Sequence, residues 1–237
     1  MTSIDENMPR NTDETGDACK GSLPRILVHI CCAPCSIAPI RALLSRRAKL
    51  TGYFRNPNIH PRSEFERRLS SVKRLAELLD LEVVCDEVYA PADFILGQMK
   101  AASKKPGGLD AANSKKNRCD YCYAERMEAV AKAASEMGYD GFTSSLLYSM
   151  SQDHDEIKRI GLFMASKYGV DFLYEDFRKL WNDGIGQSKA VGLYRQQYCG
   201  CAFSRAERYA GTSAKKKEGG MTVKKAASIV NLGDSNV

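Results

Sequence analysis

From Arg25 onward, short apolar runs alternate with longer amphipathic stretches. RILVHI, bounded by Pro24 and by CCAPC, predicts a strand, and IAPIRALLSRRA after it has helical spacing. LTGYF predicts a second strand and leads into the turn-rich NPNIHP. Pro61 then opens a long helix through about Leu79, with Phe65, Leu69, Val72, Leu75, Ala76 and Leu79 on one face. LEVVC predicts a third strand, a shorter helical piece follows near 92–102, and KKPGGLDAANSKKN reads as a mobile loop from its Gly, Pro, Asn and Lys content. CDYCYAERMEAVAKAASEMG predicts a helix with a glycine stop. DGFTSSL predicts a fourth strand, DHDEIKRIGLFMASKYG a helix capped by Asp153 or a neighbour, and VDFLYE a fifth strand.

This alternation predicts a single α/β domain, a Rossmann-like and mainly parallel sheet with helices on both faces. Residues 1–22 are polar and aperiodic and read as a disordered leader. The α/β domain is expected over 23–204, and the Gly- and Lys-rich 205–237 reads as a flexible basic tail, helical at most near its start.

Composition adds that the chain, at 237 residues with 43% hydrophobic and 27% charged, has the balance of an ordinary globular protein. No apolar run approaches the length a membrane-spanning helix needs, and the N-terminus lacks the apolar section of a secretory signal. A cytoplasmic protein is expected, with no membrane partner. The net charge of +6 is uneven: Lys100, Lys104, Lys105, Lys115, Lys116 and Arg118 face a single acid, Asp110. Such a patch suits a polyanion, although on charge alone a run like this is more often a solvated loop.

In a reducing compartment the nine cysteines read as metal ligands or redox groups rather than structural disulfides. Cys31, Cys32 and Cys35 lie in the loop after the first strand, where open parallel sheets gather their ligands. Cys119 and Cys122 have C-x-x-C spacing at the expected start of a helix, whose N-terminus would favour the thiolate. Cys31, Cys32, Cys119 and Cys122 together make a set that suits either a [4Fe–4S] cluster or a structural zinc, and the adjacent Cys-Cys pair tilts the reading towards iron–sulfur. Cys199 and Cys201, separated by one glycine, would form a strained, easily reduced disulfide; a turn with two unpaired thiols accounts for the segment equally well. Cys19 reads as incidental and Cys85 as a small core residue. His29 reads as a satisfied core histidine, while His60 and His154 sit in loop or cap positions. Arg178, Tyr194 and Arg195 are candidates for phosphate or base contact, and Tyr121, Tyr123 and Trp181 for stacking, although each type is as often packing or surface.

The stretches LVHICCAPCS, GYFRNPNIHPRSEFERR, RCDYCYAERM, FTSSLLYSMSQDHDEIKRIG, FLYEDFRKLWNDGIGQSK and GLYRQQYCGCAFS, taken in this order, resemble the cobalamin-independent QueH family of epoxyqueuosine reductases. The resemblance spans about 27 to 204. It implies an oxidoreductase that reduces epoxyqueuosine to queuosine at the wobble position of tRNA, the final step of queuosine biosynthesis. It further implies a [4Fe–4S] cluster on Cys31, Cys32, Cys119 and Cys122 and a redox-active disulfide between Cys199 and Cys201. A single nearby iron is also implied, with Cys35, Asp153 and His154 as candidate ligands, as is an unidentified electron donor. Two readings from other classes stand beside it: a zinc-stabilised RNA-binding module with purely structural cysteines, and a thiol–disulfide oxidoreductase built on Cys199 and Cys201.

Overall fold

The computed structural model describes residues 23–46, 48–111 and 114–213. The leader expected over 1–22 and most of the tail expected over 205–237 lie outside the described residues.

Five parallel strands form one sheet in the order β3-β2-β1-β4-β5. They are β1 (Arg25–His29), β2 (Lys49–Phe54), β3 (Val83–Cys85), β4 (Gly141–Ser144) and β5 (Asp171–Phe172). Central β1 is apolar because it is covered on both faces, with Leu27 and Val28 fully buried. Its register pairs Val28 with Gly52 on one side and with Thr143 on the other. The helices are α1 (Ala33–Leu44), α2 (Arg62–Leu79), α3 (Pro91–Ser103), α4 (Gly108–Ala111), α5 (Lys115–Glu136), α6 (His154–Tyr168), α7 (Trp181–Ala190) and α8 (Ala202–Ser213). Helix α1 packs with α2 and α7, whereas α5 packs with α6 and against β1 and β4. This is the expected Rossmann-like α/β arrangement, and β1 and β4 flank its topological switch point.

Helix α2 follows the predicted stripe, burying Phe65, Leu69, Val72 and Leu75, but the same face also buries Glu64 and Arg68. Helix α6 is capped as expected: the Asp153 carboxylate accepts the Glu156 amide proton at 3.1 Å.

Three elements differ from expectation. The segment read as a loop contains the short α4, and α5 starts at Lys115 after Ser114, so Cys119 and Cys122 lie beyond its first turn. Helix α7 was not predicted, because Gly184 and Gly186 weaken its helical signal. Gly184 is needed for packing: a Cβ there would come within 2.3 Å of the Tyr148 hydroxyl. Helix α8 runs across the boundary expected at 204.

Candidate metal and redox centre

Strand β1 ends at the sheet's carboxyl edge, and the chain turns there through Cys31 and Cys32 into α1. Cys32 occupies the N-cap position in extended conformation and Pro34 lies in the first turn. This turn directs the Cys31, Cys32 and Cys35 sulfurs to one point, all within 4.8 Å of one another, with Cys31 and Cys32 3.8 Å apart. Ser145, just beyond β4, accepts the Cys31 amide proton at 2.9 Å and donates its hydroxyl to the Cys31 sulfur at 3.2 Å. Gln196 donates to the sulfurs of Cys32 at 2.8 Å and Cys35 at 3.3 Å. Hydrogen bonding with Cys32 and Cys35 holds the Cys31 thiol well below its ordinary range. Burial pushes Cys32 up, and hydrogen bonding with Cys31 and Cys32 pushes Cys35 up. These hydrogen bonds favour the thiolate of Cys31 over those of Cys32 and Cys35.

The second and third cysteine pairs face each other. Cys119 and Cys122, at i and i+3 on α5, share one helix face. With Cys199 and Cys201 they line a cavity of about 110 Å³ that Arg126 and Gln152 also border. The thiolate-favouring helix terminus expected for Cys119 and Cys122 is absent, because dipole effects fade beyond the first turn. Burial instead raises both thiols. The eight described cysteines are all free thiols.

Helix α2 holds the Cys199–Cys201 turn in place. Arg68 is paired with Glu64 at 2.8 Å and donates to the carbonyls of Cys199 and Tyr198, each at 2.9 Å. The other Glu64 oxygen accepts from Tyr194 at 2.6 Å, and Tyr198 donates to the His60 carbonyl at 2.6 Å. Gly200 has φ +132°, and a Cβ there would meet Arg68 Nη1 at 3.0 Å and Ile59 Cγ1 at 3.2 Å. Gly200→Ala is therefore expected to cost about 1–3 kcal/mol of stability through strain at this φ. Denaturant unfolding against wild type checks this, and an unchanged midpoint would mean the turn is not held as described.

The remaining candidates are dispersed. Asp153 caps α6. His154 is buried, with Nε2 3.3 Å from the Ser149 carbonyl oxygen and Nδ1 3.9 Å from Asp176. The structure does not bring either of them to Cys35: among the described residues, the group able to hold a metal through three such side chains is Cys31, Cys32 and Cys35. Arg178 is exposed and paired with Asp176. Tyr194 serves Glu64, and Arg195 is exposed. Lys105 and Lys116 both approach Asp120, at 3.9 and 2.8 Å. Lys104 and Lys115 are exposed, and Lys115 borders the thiol cavity. Of the stacking candidates, Trp181 packs on Tyr148 and Tyr121 against Phe94, while Tyr123 is buried. His29 is the satisfied core residue expected, bound to Ser144 and to the Arg55 carbonyl. Arg126, Arg68, Glu64, Gln196 and Ser145 received no role from the sequence; Arg126 and Gln196 lie within a turn of a cysteine motif, whereas Glu64, Arg68 and Ser145 are brought to the cysteines only by the fold.

A donor set of seven thiols, three already converged and four around one cavity, suits a soft, thiolate-bound metal centre. Iron–sulfur clusters and zinc share this ligand preference.

Residues 26–207 match the family described as epoxyqueuosine reductase QueH. Curated relatives bearing that name include one from Thermotoga maritima, 35% identical over 81% of this chain and 97% of the relative. Another, from Dehalococcoides mccartyi, is 33% identical over 78% of this chain and 95% of its own length. A third, from Staphylococcus epidermidis, is 36% identical over 78% of this chain and 77% of its own.

Proposed function

The chain belongs to the QueH family of epoxyqueuosine reductases, and on that premise we propose that it reduces epoxyqueuosine to queuosine at the wobble position of tRNA. The observation that carries this reading, beside family membership, is the convergence of three thiols at the carboxyl edge of β1, with four more cysteines lining one cavity. Deoxygenating the epoxide takes two electrons and two protons: both C–O bonds break, an alkene forms and oxygen leaves as water. The Cys199–Cys201 dithiol holds that complement, so its oxidation to a disulfide balances the reaction. An external electron donor then restores the dithiol.

Cys31, Cys32, Cys119 and Cys122 would hold a [4Fe–4S] cluster. When bound, such a cluster supplies electrons one at a time. Cys35, whose sulfur meets those of Cys31 and Cys32, is the candidate from this chain for a mononuclear iron. Around these ligands the protein orients and excludes water: Ser145 and Gln196 fix the sulfurs by hydrogen bonds, and the Arg68–Glu64 pair fixes the redox turn. Anaerobically purified protein is expected to be brown, to contain iron and sulfide, and to bleach on reduction. Colourless protein carrying zinc would favour the structural-zinc reading.

No helix among the described residues is long and apolar enough to cross a membrane, and we place the catalytic domain, read as 23–204, in the cytoplasm with its tRNA. The basic stretch before Cys119 would meet the phosphate backbone. Neutralising Lys104, Lys105, Lys115 and Lys116 together is expected to weaken tRNA binding and flatten its dependence on salt, by about 0.7–0.9 in log–log slope for each phosphate that is no longer neutralised. Lys104 and Lys115 should account for most of the change, because Lys105 and Lys116 are drawn to Asp120. An unchanged slope returns the stretch to a solvated surface.

A further inference from the structure

Two arginines are buried beside the cysteines, and they are satisfied differently. Arg68, 2% exposed, has the Glu64 carboxylate and two carbonyls. Arg126, 1% exposed, donates through Nε to the Cys122 carbonyl at 3.0 Å, while its Nη2 has no partner among the described residues. No carboxylate pairs with it there. A guanidinium cannot shed its charge, so burial without an anion is costly and calls for one nearby.

The cavity beside Arg126 is lined by four cysteines, and its one carboxylate, Glu207, is paired with Arg118. Arg126 lies one turn after Cys122 and borders the cavity shared by Cys119, Cys122, Cys199 and Cys201. The anion placed to balance it is a thiolate of this centre, once a bound metal holds that cysteine deprotonated. The position is also one that a merely structural residue would not need, since an apolar side chain of similar length would fill it without a charge.

We propose that Arg126 is a positioning residue: the fixed countercharge of the cysteine centre, which retains a thiolate-bound metal and raises the potential at which that centre is reduced. The proposal rests on the iron–sulfur reading above and adds to it the residue that offsets the centre's negative charge. A positive charge held in a site closed to water favours the more negative, reduced state, so its removal makes reduction harder.

The test compares Arg126→Met, Arg126→Gln and Arg126→Lys with wild type, iron-loaded and iron-free. In the loaded protein both neutral variants are expected to lose iron to a chelator about 10- to 100-fold faster and to shift the reduction potential to more negative values, with Arg126→Lys recovering most of both. In the iron-free protein Arg126→Met is expected to melt at or above the wild-type temperature, because a buried charge gives way to an apolar chain. Wild-type potential and iron retention in the neutral variants would overturn the proposal. So would neutral variants that fail to fold or melt lower even without iron, since Arg126 would then be structural. If wild type itself takes up neither iron nor sulfide, the cluster reading fails, and the iron-free melting comparison still decides the role of Arg126.

Discussion

Serine at Cys122 is expected to leave the protein folded but nearly free of iron and sulfide. Cys122 is buried and faces the cavity of the centre, and serine keeps its size while replacing a soft, ionisable sulfur with a hydroxyl that iron–sulfur clusters do not take from this position. Even partners outside the ligand shell change metal affinity by about 10- to 100-fold, so loss of a ligand should exceed that. The same outcome is expected at Cys31, Cys32 and Cys119. Iron and sulfide analysis of the four variants, with Cys35→Ser beside them, checks it, with circular dichroism to confirm the fold. Full content in all four would show the ligand set to be wrong, and loss at Cys31, Cys32 and Cys35 alone would move the centre to the sulfurs that already converge.

The second large effect is expected at the turn. Cys199→Ser and Cys201→Ser should each keep the iron content and visible spectrum of wild type and lose repeated turnover. Arg68, itself fixed by Glu64, holds the turn through the Cys199 and Tyr198 carbonyls, and the Tyr198 hydroxyl anchors it to His60. The Cys201 sulfur adds an acceptor for the Ser204 amide at 3.3 Å that a serine hydroxyl can replace, so the substitutions need not disturb the centre. A one-residue spacing makes a strained disulfide, which is easily reduced and thus suited to cycling. Thiol titration should find two more reactive thiols in reduced than in oxidised wild type, and no such difference in either variant. Loss of iron from Cys199→Ser would make the pair ligands, and retained turnover would make it only a turn.

The strands and most helices were legible because burial imposes a period on the sequence: RILVHI is apolar on both faces, and the α2 stripe repeats at helical spacing. Helix α7 was hidden because Gly184, which admits Tyr148, is a poor helix former. The start of α5 was hidden by a Lys-rich stretch that resembles a loop. At the site, the cysteine clusters were readable, since they stand out in any context. Their grouping was not. Cys35 was legible beside Cys31 and Cys32 because all three share one short segment, but which distant sulfurs meet depends on the fold, and the chain order does not reveal that Cys199 and Cys201 face Cys119 and Cys122. Glu64, Arg68 and Arg126 were overlooked for a related reason: a charge on an otherwise apolar helix face looks like a gap in the pattern until the fold supplies its partners.

The central claim is the reaction itself, and one measurement addresses it directly. Anaerobically purified protein, with a chemical reductant, is incubated with tRNA carrying epoxyqueuosine, and the digested nucleosides are followed by mass spectrometry. The expected result is loss of epoxyqueuosine with matching growth of a nucleoside lighter by one oxygen atom, identical to queuosine. Protein that contains iron and sulfide and binds the tRNA, yet leaves epoxyqueuosine unchanged, would contradict the account.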